Sequence, residues 1–214
     1  MGDKLQARTP RRSTRSRPTD GQLLDAARAV FAEHGYQRAT MGTIAARADS
    51  TKPTLYAHFG DKAALYRATL AREGDRLRTW VTGAYASAAG RPVNRRVHTY
   101  VMALFTFAAA HPEGFRILFD DHAPGDLGPV REQIAGTITE AVAGQIRDHL
   151  AAEGRPPGPS AGLLAAMLVG MTGKAAAHAL RADLDPLASG ELTARVVMAA
   201  LQHLDPGALD LVDT

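Results

Sequence analysis

The chain has 214 residues, 25 Lys+Arg against 22 Asp+Glu, a formal net charge of +3 and no cysteine. That length allows one domain or two small ones, and 45% hydrophobic residues suffice for a packed core. The absence of cysteine excludes disulfides, Cys-ligated zinc, iron–sulfur clusters and a thiol nucleophile, and it fits a reducing, cytoplasmic setting.

Residues 1–18 form a basic arm with no large apolar residue beyond Met1 and Leu5, so they cannot bury surface. The charge is concentrated at this end. Residues 1–62 carry 11 Lys+Arg and 6 acids, a net of +5, and residues 63–214 carry 14 and 16, a net of −2. Such asymmetry points to an anionic partner for the N-terminal end, nucleic acid or a membrane surface. Arg11, Arg12, Arg15 and Arg17 are the arm's candidates for an adjacent DNA minor groove; the alternative is an idle arm.

Thr19 and Gln22 have capping-box spacing, and Leu23, Leu24, Ala27, Val30 and Phe31 follow at helical spacing, with Gly35 placed to stop the helix. Thr40 is positioned to cap a short helix over 41–48. Asp49 and Ser50 make a turn, and 51–59 reads as a third short helix whose Pro53 is tolerated in the first turn. Gly60 stops it and Asp61 caps the next. The remainder shows no sustained period-2 alternation and reads as helices over 61–73, 75–89, 92–110, 112–122, 128–153, 160–182 and 187–204. Val130, Ile134, Ile138, Val142 and Ile146 form a four-residue ladder typical of a bundle. The longest apolar stretch, 161–173, has 13 residues against the ~20 of a membrane span and reads as buried helix. The fold class is therefore all-α.

Three short helices, the last two joined by a tight turn, are the layout of a helix-turn-helix module. Ile44, Ala45, Ala48, Leu55 and Phe59 fall inward. That leaves Thr40, Thr43, Thr51, Lys52, Thr54, Tyr56 and His58 on the first turns and outer face, and such side chains are common phosphate ligands.

The run from Leu23 to about Leu70 resembles the N-terminal domain of the TetR family of transcriptional regulators. The matching residues are A-x-x-x-F-x-x-x-G-Y (27–36), Thr40, I-A (44–45), T-K-P-T-L-Y-A-H-F (51–59) and D-K-x-x-L (61–65). The resemblance implies a DNA-binding domain over 19–65 and a helical effector-binding and dimerisation domain over 66–214. It implies double-stranded DNA, a small-molecule effector and a second copy of the chain as partners. By matching position, Thr40, Thr51, Lys52, Thr54, Tyr56, His58 and Lys62 are the DNA-contact candidates. Tyr56 and Lys62 would anchor phosphates, and Thr51, Lys52 and Thr54 would face base edges. Tyr56 packed in the core, His58 as a helix-end charge partner and Lys62 as a solvated residue stand as alternatives. Asp49 replaces the family's usual Gly at the turn and can still adopt a left-handed conformation. Ser50 replaces an apolar plug, at a cost of ~1–2 kcal/mol of burial.

Aromatic and Met residues of the later helices suggest an effector pocket: Trp80, Tyr85, Tyr100, Phe105, Phe115, Phe119, Met167 and Met171, with His98 and Tyr100 as polar contacts. The alternative is ordinary core. Leu164, Leu168, Leu192, Val196 and Leu201 are the candidates for a dimer interface between the last two long helices. Asp120, Asp121, His122 and Asp126 match no metal-ligand pattern, and no catalytic or nucleotide-binding motif is present, so no metal, cofactor or enzymatic activity is expected. The function expected is that of a homodimeric DNA-binding regulator, a repressor released from a palindromic operator by an apolar or aromatic effector. A helical carrier or scaffold whose basic end docks on anionic membrane is the second reading. It is weakened because no helix in 19–62 has a Lys/Arg-rich face opposite a large apolar one.

Overall fold

A computed structural model of the chain describes residues 18–119, 128–155, 158–205 and 207–213. The arm arginines Arg11, Arg12, Arg15 and Arg17, the cluster at 120–126 and the side chain of Val130 lie outside the described residues. Among those described there are ten helices and no strand.

The N-terminal unit follows its local signals. α1 (Asp20–Arg38) opens with the expected capping box: the Thr19 hydroxyl accepts from the Gln22 amide at 3.3 Å, and the Gln22 carboxamide oxygen accepts from the Thr19 amide at 2.9 Å. Gly35 breaks its helical backbone at φ 72°, ψ 165°, and the last turn continues to Arg38. α2 (Met41–Arg47) and α3 (Lys52–Phe59) are joined by a turn in which Asp49 sits at φ 47°, the left-handed region that Asp tolerates. Ser50 beside it is half-buried, with its hydroxyl shut from solvent and unpartnered among the described residues.

α4 (Lys62–Ala88) corrects the expectation of two helices broken at residue 74. Gly74 is buried inside one continuous helix, where a Cβ would lie 2.6 Å from Ile134 Cδ1 of α7 (Gly128–Ala152). This glycine allows close helix approach and is not a stop. α4 also crosses the expected domain boundary after residue 65. Tyr66 stacks edge-on against Phe31 and Tyr36, and one buried cluster runs without a break from Leu23 to Val197.

α5 (Val93–Ala110) and α7 pack against α4, and α8 (Ser160–Arg181) and α9 (Pro186–Gln202) pack in turn against α7 and α5 and against each other. α6 (Pro112–Leu118) is the short crosspiece between α1, α4 and α8, and its described part ends before the expected residue 122. α8 is long and apolar enough to cross a membrane by length and composition, yet here it buries Ala161, Ala165, Gly173, Ala176 and Ala177 in the bundle. α10 (Gly207–Asp213) was not expected: its Asp213 carboxylate accepts from the Ser160 amide at 2.8 Å and the Ser160 hydroxyl at 2.7 Å, capping α8.

A buried carboxylate joins the two halves. The Glu73 side chain on α4 is fully buried and meets Arg72 at 3.2 Å, Arg76 at 3.0 Å and Arg28 of α1 at 3.6 Å. Arg28 also pairs with Glu113 of α6 at 3.0 Å. Gly114 leaves room for the carboxylate, because a Cβ there would lie 2.5 Å from Glu73 Oε2. Removing the charge takes from three guanidinium groups the one buried partner they share, leaving Arg76 without its carboxylate. Glu73→Gln is expected to lower unfolding free energy by about 3 kcal/mol, measured by urea denaturation, with the loss shared by probes in both halves of the molecule.

Candidate nucleic-acid interface and bundle cavity

α2 and α3 are short and rely on side-chain caps. The Thr40 hydroxyl accepts from the Thr43 amide at 3.1 Å, and the Thr43 hydroxyl donates back to the Thr40 carbonyl at 2.9 Å. Thr51 accepts from the Thr54 amide at 3.3 Å, with the two hydroxyls 2.8 Å apart. These hydroxyls therefore build the helix starts before they can touch a ligand. Leu55 is completely buried and fixes the inner face of α3. On the other side Thr51, Lys52 and Tyr56 are exposed and Thr54 is half-buried. Tyr56 is 51% exposed, which removes core packing as its role. The Lys52 side chain folds over Gly42, close enough that a Cβ there would lie 2.6 Å from its Cε, so its positive charge sits beside Thr40 at the start of α2.

Two expected contacts are placed differently. The Lys62 ammonium donates to the carbonyls of Tyr36 at 3.0 Å, Ala39 at 3.1 Å and Gln37 at 3.4 Å, and lies 4.4 Å from the Tyr36 ring centre. All three N–H donors are thus turned to the end of α1, and Lys62 is neither a free phosphate anchor nor a solvated residue. His58 Nδ1 lies 2.5 Å from Asp20 Oδ1, tying the end of α3 to the start of α1. The exposed set that remains, Thr40, Thr51, Lys52 and Tyr56 with Thr54, lies on one surface around α3.

The bundle holds a partly open cavity of about 540 Å³ bounded by α4, α5, α7, α8, α9 and α10. Of the expected pocket residues, Tyr85, Tyr100 and Phe119 line it. The two tyrosine rings are 4.0 Å apart, and the Tyr100 hydroxyl donates to the Gln145 carboxamide oxygen at 3.3 Å. Burial pushes the Tyr85 phenol far above its ordinary pKa, aided by Tyr100. Burial also raises Tyr100, against the opposing influence of Arg96, so both rings present neutral hydroxyls.

The other pocket assignments are corrected. Phe105 is fully buried core. Phe115 stacks on Phe119 at 4.2 Å and borders a second hollow of about 460 Å³ between α1, α6 and α8, which Phe119 also borders. Trp80 lies against Phe107 and His111 on the outer side of α4 and is 38% exposed. His98 pairs with Glu191 of α9 at 2.8 Å, outside the cavity wall. Hydrogen bonds from His98 and then Arg195 hold the Glu191 carboxyl below its usual range.

Met167 and Met171 point out to solvent, 61% and 40% exposed, while Leu164, Leu168 and Leu201, expected at a dimer interface, line the cavity instead. The exposed apolar face of α8 is Leu163, Met167 and Met171, beside Leu192 and Val196 of α9, which keep their expected outward positions. One residue along a helix turns a side chain by about 100°, and α8 is apolar on both of its faces. Sequence reading also passed over Ile138, Val142 and Ile146 as cavity wall, although their ladder on α7 was visible. Among the described residues no group of acids and histidines is arranged to hold a metal ion.

The sequence pattern of bacterial regulatory proteins of the tetR family matches residues 23–69. The HTH-type transcriptional activator FasR of Mycolicibacterium smegmatis is 32% identical over 209 residues, covering 95% of this chain and 93% of that protein. An HTH-type transcriptional repressor of Streptomyces coelicolor is 32% identical over 143 residues, 58% of this chain and 69% of that one. The fold is similar to that of the transcriptional regulator FadR from Bacillus subtilis, crystallised with stearoyl-CoA, at a TM-score of 0.71 and 15% identity over 84% of this chain and 97% of that one. A polar face around a capped helix-turn-helix, carried by an all-helical body and shared over nearly the full length with a named regulator, identifies the chain as a DNA-binding transcriptional regulator that belongs to the TetR family.

Proposed function

We propose that the protein works as a homodimer whose two α3 helices enter successive major grooves of a two-fold-symmetric operator, and that it represses until an apolar or aromatic effector fills the cavity. The observation that carries this reading is α4. Its first turns anchor the reading head through Lys62 and Tyr66, and its later turns supply Val81 and Tyr85 to the cavity wall. A ligand that displaces Tyr85 therefore acts on the same rigid element that aims α3. Effector and DNA then antagonise each other by equal factors, and a tenfold effect needs only ~1.4 kcal/mol of coupling.

Residues 19–65 serve as the reading head and the remainder as the effector and dimer body. Thr51, Lys52 and Thr54 face base edges and Tyr56 holds a phosphate; the first type of contact carries sequence and the second fixes register. The membrane-docking alternative has no comparable support. FadR holds a long apolar chain in a related fold, which supports the same class of occupant here.

The exposed stripe of Leu163, Met167 and Met171 with Leu192 and Val196 is the surface we assign to the second copy. Two helices from each chain form a self-complementary four-helix contact across a two-fold axis. Small residues at Gly170, Ala199 and Ala200 on the same exposed surfaces allow close approach.

An operator selected from random duplex DNA gives the reference site. Tyr56→Ala is expected to weaken binding to it at least tenfold in a gel shift while the thermal midpoint stays within error; unchanged affinity would remove Tyr56 from the interface. Deleting residues 1–18, where we place minor-groove contacts for the arginines, should flatten the dependence of log affinity on log salt. Met167→Glu with Val196→Glu should convert the species seen in sedimentation from dimer to monomer and abolish binding to the full palindrome. A dimer that persists would place the interface elsewhere.

A further inference from the structure

The cavity wall is not uniformly apolar. On α5 the wall beyond Tyr100 is apolar, with Val101 and Leu104, and before it Asn94 and Arg96 stand among Val93 and Val97. On α7, Ile138 and Val142 are followed by Gln145, His149 and Glu153, interleaved with Ile146 and Leu150. The Tyr100–Gln145 hydrogen bond joins these helices, so their polar wall residues fall toward one end of the cavity, set among apolar ones, while the other end is apolar.

The charged groups at the polar end are unequally matched. His149 pairs with Glu153 at 3.3 Å, and Arg155 lies 3.7 Å from Asp210 of α10. Among the described residues Arg96 forms no ion pair, and its Nε is shut from solvent without a hydrogen-bond partner. A buried donor on a guanidinium left unmatched is costly, and a guanidinium is the side chain best shaped to receive a planar or tetrahedral oxyanion through two parallel hydrogen bonds.

We infer that the effector is an amphiphile with an anionic head, carboxylate or phosphate, received by Arg96 at the polar end, with its apolar chain running past Tyr85 and Tyr100 toward Phe119. This rests on the cavity being the effector site, as proposed above, and adds what the occupant must carry. Arg96 is the residue that sets specificity. It rewards a negative head and leaves a neutral chain of the same length held by apolar contact alone. A cationic head would meet the Arg96 guanidinium, while His149 and Arg155 are already matched by Glu153 and Asp210. The far end of the chain would press on Phe119, the residue that caps the end of α6 and also borders the hollow against α1.

Titration calorimetry on the full-length dimer with dodecanoate, dodecyl phosphate and dodecanol tests this, repeated on Arg96→Met, which keeps the length and removes the charge. The expected result is at least tenfold tighter binding of one or both anions over dodecanol in the native protein. Arg96→Met should erase that preference while leaving dodecanol affinity and the thermal midpoint unchanged. Preference for the carboxylate or for the phosphate identifies the head. Equal binding of all three ligands, or an anion preference that survives Arg96→Met, overturns the role of Arg96 while leaving the cavity as an effector site. If none of the three binds and none weakens operator binding in a gel shift, the effector-site reading itself falls, and this inference with it.

Discussion

The carboxylate of Glu73 is the buried charge at the point where α1, α4 and α6 meet. It is removed from water and surrounded by Arg72, Arg76 and Arg28. A charge so buried is tolerable only because it is matched on several sides. Its partners come from α1 and α4, and Glu113 of α6 reaches the same Arg28. The orientation of the reading head on the body is thus set by an ion cluster with directional geometry, which resists sliding in a way that apolar packing does not. Gly114 belongs to this arrangement, since any side chain there would occupy the carboxylate's space.

From that joint, α4 runs uninterrupted into the effector body. Its continuity through Gly74 allows Ile134 of α7 to pack onto its backbone. The helix is clamped near its middle by ions and carries the cavity residues Val81 and Tyr85 at its far end. α6 supplies a second connection. Glu113 at its start reaches α1, and Phe119 at its end touches the cavity. Occupancy of the cavity can therefore be felt by α1 along two paths that converge on Arg28 and Glu73.

Much of the reading head was legible in the sequence because its signals are local. Caps at Thr19, Thr40, Thr51 and Asp61, the Gly35 and Gly60 breaks and the left-handed Asp49 all act within four residues of themselves. The misplacements occurred where a side chain's partner is distant in sequence. Lys62 and His58 read as DNA-contact candidates, but the groups they bond lie 23 to 38 residues earlier in the chain. Nothing local marked Glu73, because its most informative partner, Arg28, is on another helix. α8 is a different case. With apolar residues on both faces, its periodicity could not say which stripe turned inward, and the cavity and dimer assignments were exchanged by one residue.

Local sequence signals were enough for the all-helical class, for the helix-turn-helix with its capping threonines, and for the placement of positive charge at the N-terminal end. These follow from helix periodicity, capping chemistry and composition, which are properties of short stretches. The tertiary structure alone decided that Gly74 joins rather than breaks α4, that Leu164 and Leu168 face the cavity while Met167 and Met171 face outward, and that Glu73 is a buried joint. It also decided that Arg96 is an unmatched cation. The physical reason is common to all of these. Whether a residue is a spacer, a wall, a surface or a charge in need of a partner depends on which other helix stands against it, and that neighbour is chosen by packing across the whole molecule.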